Sequence, residues 1–217
     1  MNEVSRKERT AYVGITVIVA VFWVGSYFLV GALSPFRTPV NVAIGLDSAI
    51  PLVPAMVWPY TLCYVVPLVG PLLAPSRADF KRGAWGFVLL SIVCFALFLL
   101  FPVKGPRPDK LVIDGWSTWW LSKEYAADTI YNCFPSLHAA SAWFFFFVGR
   151  RWDTRSTIPL FLVAVGISLG ALMVRQHYIA DIVMGGVLAW GFYKGAFWNV
   201  DKAEVVATKT VLPASQA

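Results

Sequence analysis

Charged residues are scarce in this chain: they make up 14% of its 217 residues, against 58% hydrophobic residues, and mean hydropathy is +0.66. So small a charged fraction cannot cover the surface of an ordinary soluble domain, and it excludes disordered and collagen-like chains as well. Cysteine is also scarce. Cys63, Cys94 and Cys133 are odd in number and lack metal-ligand spacing, so no disulfide framework is expected. Histidine is scarcer still, with His138 and His177 alone. Nor is there a basic stripe: the formal net charge of +6 is scattered between apolar segments, which argues against nucleic acid as a partner.

What the chain has in abundance is long apolar runs. Six stand out, at 12–30, 52–74, 84–103, 136–149, 158–174 and 179–198, the fourth short and extended by its flanks. The expected fold is all-α, a polytopic membrane helical bundle of about six transmembrane helices forming a single domain over residues 1–217. At roughly 20 residues per span, six spans leave room for short connections and one longer loop, not for a second soluble domain. The first run is too long for a signal-peptide core and no small-residue cleavage site follows it, so it is expected to persist as a span. Six of the 14 prolines fall between Pro51 and Pro75, which predicts a kinked or broken second span. Gly166 and Gly170 suit close helix packing in the fifth. Residues 199–217 read as a flexible cytoplasmic tail.

The spacing of the basic residues sets an orientation. Arg6, Lys7 and Arg9, then Arg77, Lys81 and Arg82, then Arg150, Arg151 and Arg155, then Lys194, Lys202 and Lys209 fall on one side of the predicted spans. Arg37, Lys104, Arg107, Lys110, Lys123 and Arg175 fall on the other. Twelve against six places both termini in the cytoplasm. The longest loop, 104–135, lies outside, and its three tryptophans, Trp116, Trp119 and Trp120, mark an interfacial segment.

This topology brings both histidines to the outer ends of spans. His177 and Asp181 are four residues apart, so on a helix they share a face; the carboxylate can hold one imidazole nitrogen and leave the other as nucleophile or base. Read alone, the pair is also an ordinary capping contact. Pro135 and Ser136 open the fourth span, and the free N–H groups of such a helix start bind anions. Lys104 and Arg107 follow the third span and Arg175 precedes His177; each alone is an interfacial anchor. Together, three cations, a helix start and two histidines describe a phosphate site with a nucleophile and a proton donor.

Phe134-Pro-Ser-Leu-His138 and Arg175-Gln-His-Tyr-Ile-Ala-Asp181 resemble the second and third signature motifs of the type 2 phosphatidic acid phosphatase superfamily, and Lys104 to Pro108 resembles the first. The resemblance covers roughly residues 40–198. Leu137 stands where the family usually has glycine, and Gly170 and Ala171 stand where it usually has Ser-Arg. Pro-Ser-Leu-His with His-Tyr-x-x-Asp is similar to the inositol phosphorylceramide synthase group, as is the segment from Asp47 to Tyr60.

The resemblance implies that His177 forms a phosphohistidine, that Asp181 orients it and that His138 protonates the leaving oxygen. Ser136 and its neighbours would hold phosphate, with Lys104, Arg107 and Arg175 neutralising its charge. No metal and no cofactor is implied, since fixed cations can stabilise an in-line transfer. The expected activity is therefore an integral membrane lipid phosphatase or phosphotransferase acting on a lipid phosphate or phospholipid at the extracytoplasmic face. A headgroup transferase differs only in the group that attacks the intermediate. A transporter using His and Asp for protons is a further alternative, but the chain shows no internal repeat. Zinc is another, for which no fourth ligand or recognised spacing is evident. The oligomeric state is not legible.

Overall fold

The computed structural model describes residues 5–36 and 38–211, and over these the chain is helical with no strand. Arg37, assigned above to the outer side, and residues 212–217 of the expected tail lie outside the described residues. Eight α-helices follow in order: α1 (Arg6–Leu33), α2 (Val57–Thr61), α3 (Val69–Leu73), α4 (Arg77–Leu100), α5 (Trp116–Ala127), α6 (Leu137–Trp152), α7 (Thr157–Met173) and α8 (Ile179–Val211). Helix α8 thus runs past residue 199, where the sequence reading begins its tail.

Local chemistry sets the helix ends. At the start of α1, Ser5 accepts from the Glu8 N–H while the Glu8 carboxylate accepts from the Ser5 N–H. Ser76 caps α4 by accepting from the Asp79 N–H at 3.1 Å, and Ser136 caps α6 by accepting from the Ala139 N–H at 3.3 Å. Between Pro51 and Pro75 each proline removes a donor and crowds the preceding turn. The apolar run there is accordingly cut into α2, α3 and three 3-10 turns, which is the broken second segment that the prolines predict.

Four helical segments are long and apolar enough to cross a membrane: Arg6–Leu33, Pro54–Leu73, Arg77–Leu100 and Thr154–Met173. Helix α6 is shorter, at 16 residues. Outward faces stay apolar, with Ile18 and Phe22 on α1 and Ile158 on α7 71%, 75% and 72% exposed. Such faces suit lipid and would be a liability in water.

Helix α6 is the centre of the bundle, packed against α7 and α8, while α4 bridges α8 and α1. Its Phe144 and Val148 meet Leu90, Cys94 and Phe98 of α4 and Ile167 of α7 in a buried cluster that extends to Ala189 and Phe197 of α8. In a lipid surround this close fit, more than removal from water, holds helices together. Two glycines allow the closest approaches. A Cβ at Gly170 would lie 2.9 Å from the Met56 carbonyl oxygen, so Gly170 seats α7 on α2 and thereby places Tyr60. A Cβ at Gly185 would lie 2.6 Å from the Ser136 carbonyl oxygen, so Gly185 seats α8 on the start of α6.

The two ends of the bundle differ in character. At one end the start of α1 meets the start of α4 and the end of α6: Tyr12 stacks on Phe80 with centroids 4.3 Å apart, Trp152 packs beside them, and Arg9 donates to the Leu72 carbonyl. Arg151 pairs with Asp201 of α8 at the same end, 2.7 Å away. At the other end the last turns of α1 meet the loop before α6, where the Asn132 amide donates to the Tyr27 carbonyl at 3.0 Å. Both histidines lie at this second end, in the first turn of α6 and just ahead of α8.

Candidate active site

Helix α7 ends at a residue with φ 55°, Arg175, in the left-handed region usually left to glycine. The Gln176 N–H returns to the Ala171 carbonyl and the Arg175 N–H to the Leu172 carbonyl, the bond pair that closes a helix through a left-handed residue. The chain reverses there and delivers His177 ahead of α8. Sequence reasoning put His177 and Asp181 on one helix face. Instead α8 begins at Ile179, so only Asp181 is helical, and the two meet because the Asp181 carboxylate caps the turn. Its Oδ2 accepts from the Tyr178 N–H at 2.7 Å and lies 3.3 Å from His177 Nδ1.

The start of α6 closes on this turn. The Ser136 N–H donates to the Asp181 carbonyl at 3.0 Å, and His138 Nδ1 lies 3.2 Å from His177 Nε2. On its far side His138 Nε2 lies 2.9 Å from the Tyr60 hydroxyl. Cys133 adds a third donor to Asp181 Oδ2, at 2.9 Å, and its Sγ lies 3.6 Å from His177 Nδ1. Burial and the Asp181 charge push the Cys133 thiol up, so it stays protonated and donates. His177 is 4% exposed and Asp181 is wholly buried.

One set of protons satisfies this chain. With Asp181 ionised, His177 carries its proton on Nδ1 and presents the Nε2 lone pair; His138 then donates from Nδ1 and accepts at Nε2 from Tyr60. The result is an imidazole with one nitrogen held by a buried carboxylate, a second imidazole against its other nitrogen and a hydroxyl behind that, an arrangement suited to a nucleophile. The arrangement can attack phosphorus at His177 and supply a proton from His138.

The three cations sit differently. Arg107 spends all five of its donors on protein: Nε on the Gln176 side-chain oxygen at 2.8 Å, Nη1 on the Tyr125 and Asp128 carbonyls, and Nη2 on the Asp128 carboxylate and the Thr129 carbonyl. Burial raises the Asp128 carboxyl above its usual range, opposed by the Tyr27 hydroxyl bonded to it and by the Arg107 charge. Arg175 reaches away, donating to the Asp47 carbonyl at 3.1 Å, and Lys104 is exposed at the start of the outer loop. Of the residues singled out from sequence, His138, His177, Asp181 and Ser136 converge; Arg107 adjoins them through Gln176, while among the described residues neither Lys104 nor Arg175 is hydrogen-bonded to a histidine.

Three members of the site escaped sequence reasoning. Tyr60 lies in the proline-broken segment, and no local pattern links it to a histidine 78 positions later. Cys133 adjoins the second motif and Gln176 lies inside the third, next to His177, so adjacency was the available signal. Gln176 matters because its Oε1 is held by Arg107 while its Nε2 is buried with no partner among the described residues. That amide is a donor available inside the site, and the Asp181 Oδ1 is likewise unpartnered. Cys133, His177 and Asp181 bring one ligand atom each to within 4.8 Å of one another, a donor set that also suits a metal ion such as zinc.

Among known proteins, no curated sequence and no solved structure matches the chain. A family model does match, that of the PAP2 superfamily, the type 2 phosphatidic acid phosphatases, over residues 36–194. This stretch contains Tyr60, Arg107, Cys133, His138, His177 and Asp181, and is most of the chain. The chain belongs to the PAP2 superfamily.

Proposed function

We propose that the protein hydrolyses a phosphorylated lipid at the extracytoplasmic face of a membrane, through a phosphohistidine on His177. The superfamily acts on phosphorylated substrates and is typically composed of phosphatases. The observation that carries the reading is the hydrogen-bonded line from His138 Nδ1 through His177 to Asp181, at 3.2 and 3.3 Å. In the first step the His177 Nε2 lone pair forms an N–P bond as the P–O bond to the lipid breaks, and His138, entering the step as an imidazolium with a proton taken up with the substrate, gives that proton to the leaving oxygen and is left neutral. In the second, water attacks phosphorus, its proton passes to His138 and the N–P bond breaks. Asp181 holds the Nδ1 proton and stabilises the charge that builds on the ring.

Phosphoryl oxygens would be met by the N–H groups of the first turn of α6, just past Ser136, and by the Gln176 amide. Arg107 contributes positive charge from behind Gln176, and Lys104 and Arg175 would join it only by turning in from where they stand, Arg175 releasing the Asp47 carbonyl. Fixed donors of this kind stabilise the transferring group without a metal. The orientation follows from charge: adding α6 and α8 to the four apolar segments makes six spans, with the basic end around Arg9, Lys81 and Arg150 in the cytoplasm and the histidine end outside. A second reading, transfer of a phosphoryl headgroup to a lipid alcohol, rests on the likeness of Pro135 to His138 to the inositol phosphorylceramide synthase group. It changes only what attacks the intermediate.

The deciding experiment incubates purified wild type and His177→Ala with lipid phosphates and phospholipids in the presence of chelator, quantifying free phosphate and lipid products. His177-dependent phosphate release is expected. New headgroup-bearing lipid without free phosphate would establish the transferase, and phosphate release that survives in His177→Ala would overturn the nucleophile assignment.

A further inference from the structure

We infer that a crevice between α1 and the rest of the bundle holds the hydrocarbon chain of the substrate, which makes the substrate a long-chain amphiphile whose tail lies parallel to α6. This rests on the lipid phosphatase reading and deepens it. Two cavities of about 200 Å³ and 90 Å³ share Trp23, Val24, Cys63, Tyr64 and Ser141 in their walls, so they form one crevice narrowed at that level. The smaller reaches His138 and Asp128. The larger runs down to Phe80, Gly83 and Trp152.

The long axis is readable from α6. His138, Ser141, Phe145 and Trp152 all line the crevice and recur at i, i+3, i+7 and i+14, which is one helix face. At 1.5 Å per residue the stripe from His138 to Trp152 is about 21 Å long, most of the thickness of a hydrocarbon layer. The opposite wall is α1, whose Ala20, Trp23, Val24 and Tyr27 form a matching stripe. Only 6% of the apolar stretch of α1 is buried, so this wall borders lipid and can admit a chain sideways.

Polarity is graded along the crevice. Most polar atoms of its walls are taken: Trp23 donates to Ser91 at 3.1 Å, Tyr64 to Glu124 at 2.7 Å, and Tyr27 to Asp128; the exception is the Trp152 Nε1 at the far end, buried with no partner among the described residues. Below the level of Tyr64 the walls are mainly hydrocarbon, and a single free donor gives water too few partners to be held. The larger space exceeds the roughly 150 Å³ at which an apolar cavity stays dry yet takes up a small hydrocarbon. The polar end stops at His138, whose Nδ1 is 3.2 Å from the nucleophilic nitrogen. A molecule filling the crevice with its headgroup at that end presents its phosphate to His177, which identifies the occupant as the tail of the substrate rather than bulk lipid.

The test compares a chain-length series of lipid phosphates with a small soluble aryl phosphate, on wild type, Ala20→Trp, Ala84→Phe and Ile18→Trp. Ala20 and Ala84 line the crevice, whereas Ile18 faces outward and is 71% exposed. With substrates presented as aqueous monomers below their micelle-forming concentration, wild-type kcat/KM should rise with chain length, by about fourfold per methylene buried before it levels off. Ala20→Trp and Ala84→Phe should lose that rise, cutting kcat/KM for the longest substrates about tenfold or more while aryl phosphate turnover stays within about twofold. Ile18→Trp should behave as wild type. An unchanged chain-length profile in both crevice variants, with aryl phosphate turned over normally, would overturn the crevice and leave the phosphatase reading standing. Failure of wild type on every phosphate would overturn both.

Discussion

Replacement of Gly185 by alanine adds one methyl group and should damage the active site from a position that touches no substrate. An alanine Cβ would sit 2.6 Å from the Ser136 carbonyl oxygen and 3.1 Å from the Ala140 nitrogen, both backbone atoms of α6. An ordinary contact needs about 3.4 Å, so α8 must withdraw from the start of α6 by roughly 0.8 Å. In an open helical position Gly→Ala stabilises by about 0.5–1 kcal/mol. Overpacking against backbone costs about 1–3 kcal/mol, so the net effect should be a loss of about 1–2 kcal/mol. The functional loss should be larger than the stability loss suggests. Asp181 is one turn before Gly185 and His138 is two residues past Ser136, so the same withdrawal pulls the nucleophile away from the acid, and a misplacement near 1 Å costs about a hundredfold in rate. Gly191→Ala is the control, because the same helix offers nothing within 4 Å of a Cβ there. Thermal unfolding in detergent and kcat/KM for a lipid phosphate are the assays. Equal stability and activity in the two variants would refute the reasoning.

Four further outcomes are expected. His138→Ala should slow lipid phosphates, whose alkoxide leaving groups need a proton, far more than activated aryl phosphates; equal losses on both would exclude a general-acid role. Arg107→Ala should strand the Asp128 carboxylate and several buried carbonyls, lowering stability by about 3–5 kcal/mol in denaturant titrations, and an unchanged midpoint would contradict that. Arg175→Gly relieves a left-handed residue and should raise thermal stability by about 1 kcal/mol, offset by the lost bond to the Asp47 carbonyl; its KM for substrate then reports directly whether the guanidinium reaches phosphate. Burial raises the Glu124 carboxyl, so its folded pKa exceeds its unfolded one. The stability linked to Glu124 is therefore full below about pH 4.5 and is lost as pH rises through the folded value, so wild type should weaken relative to Glu124→Gln over that window. A pH-independent difference in melting temperature would argue against it.

The apolar spans, the helical architecture and the motifs that carry the two histidines and Asp181 were legible from sequence because each depends on neighbours along the chain. Hydrophobicity in a run of roughly 20 residues decides whether a helix suits lipid, and it does so whatever the helix packs against. Pro51 to Pro75 break their segment for reasons contained within each turn. His138, His177 and Asp181 could be singled out because two short motifs carry them and topology puts both motifs at one end of the bundle.

What only the tertiary structure decided is how those groups are wired. Asp181 meets His177 by capping a turn closed through the left-handed Arg175, a geometry that i,i+4 spacing on a helix does not describe. Tyr60 reaches His138 because Gly170 lets α7 seat the broken segment against it, and Cys133 reaches Asp181 because Gly185 lets α8 close on the start of α6. Arg107 turned out to hold the outer loop with every donor it has, and Arg175 to face Asp47. A positive charge is visible in sequence; the acceptors that claim it are brought close only by packing. Contacts across many tens of residues depend on where a single missing Cβ lets two helices touch, and that is decided by the fold.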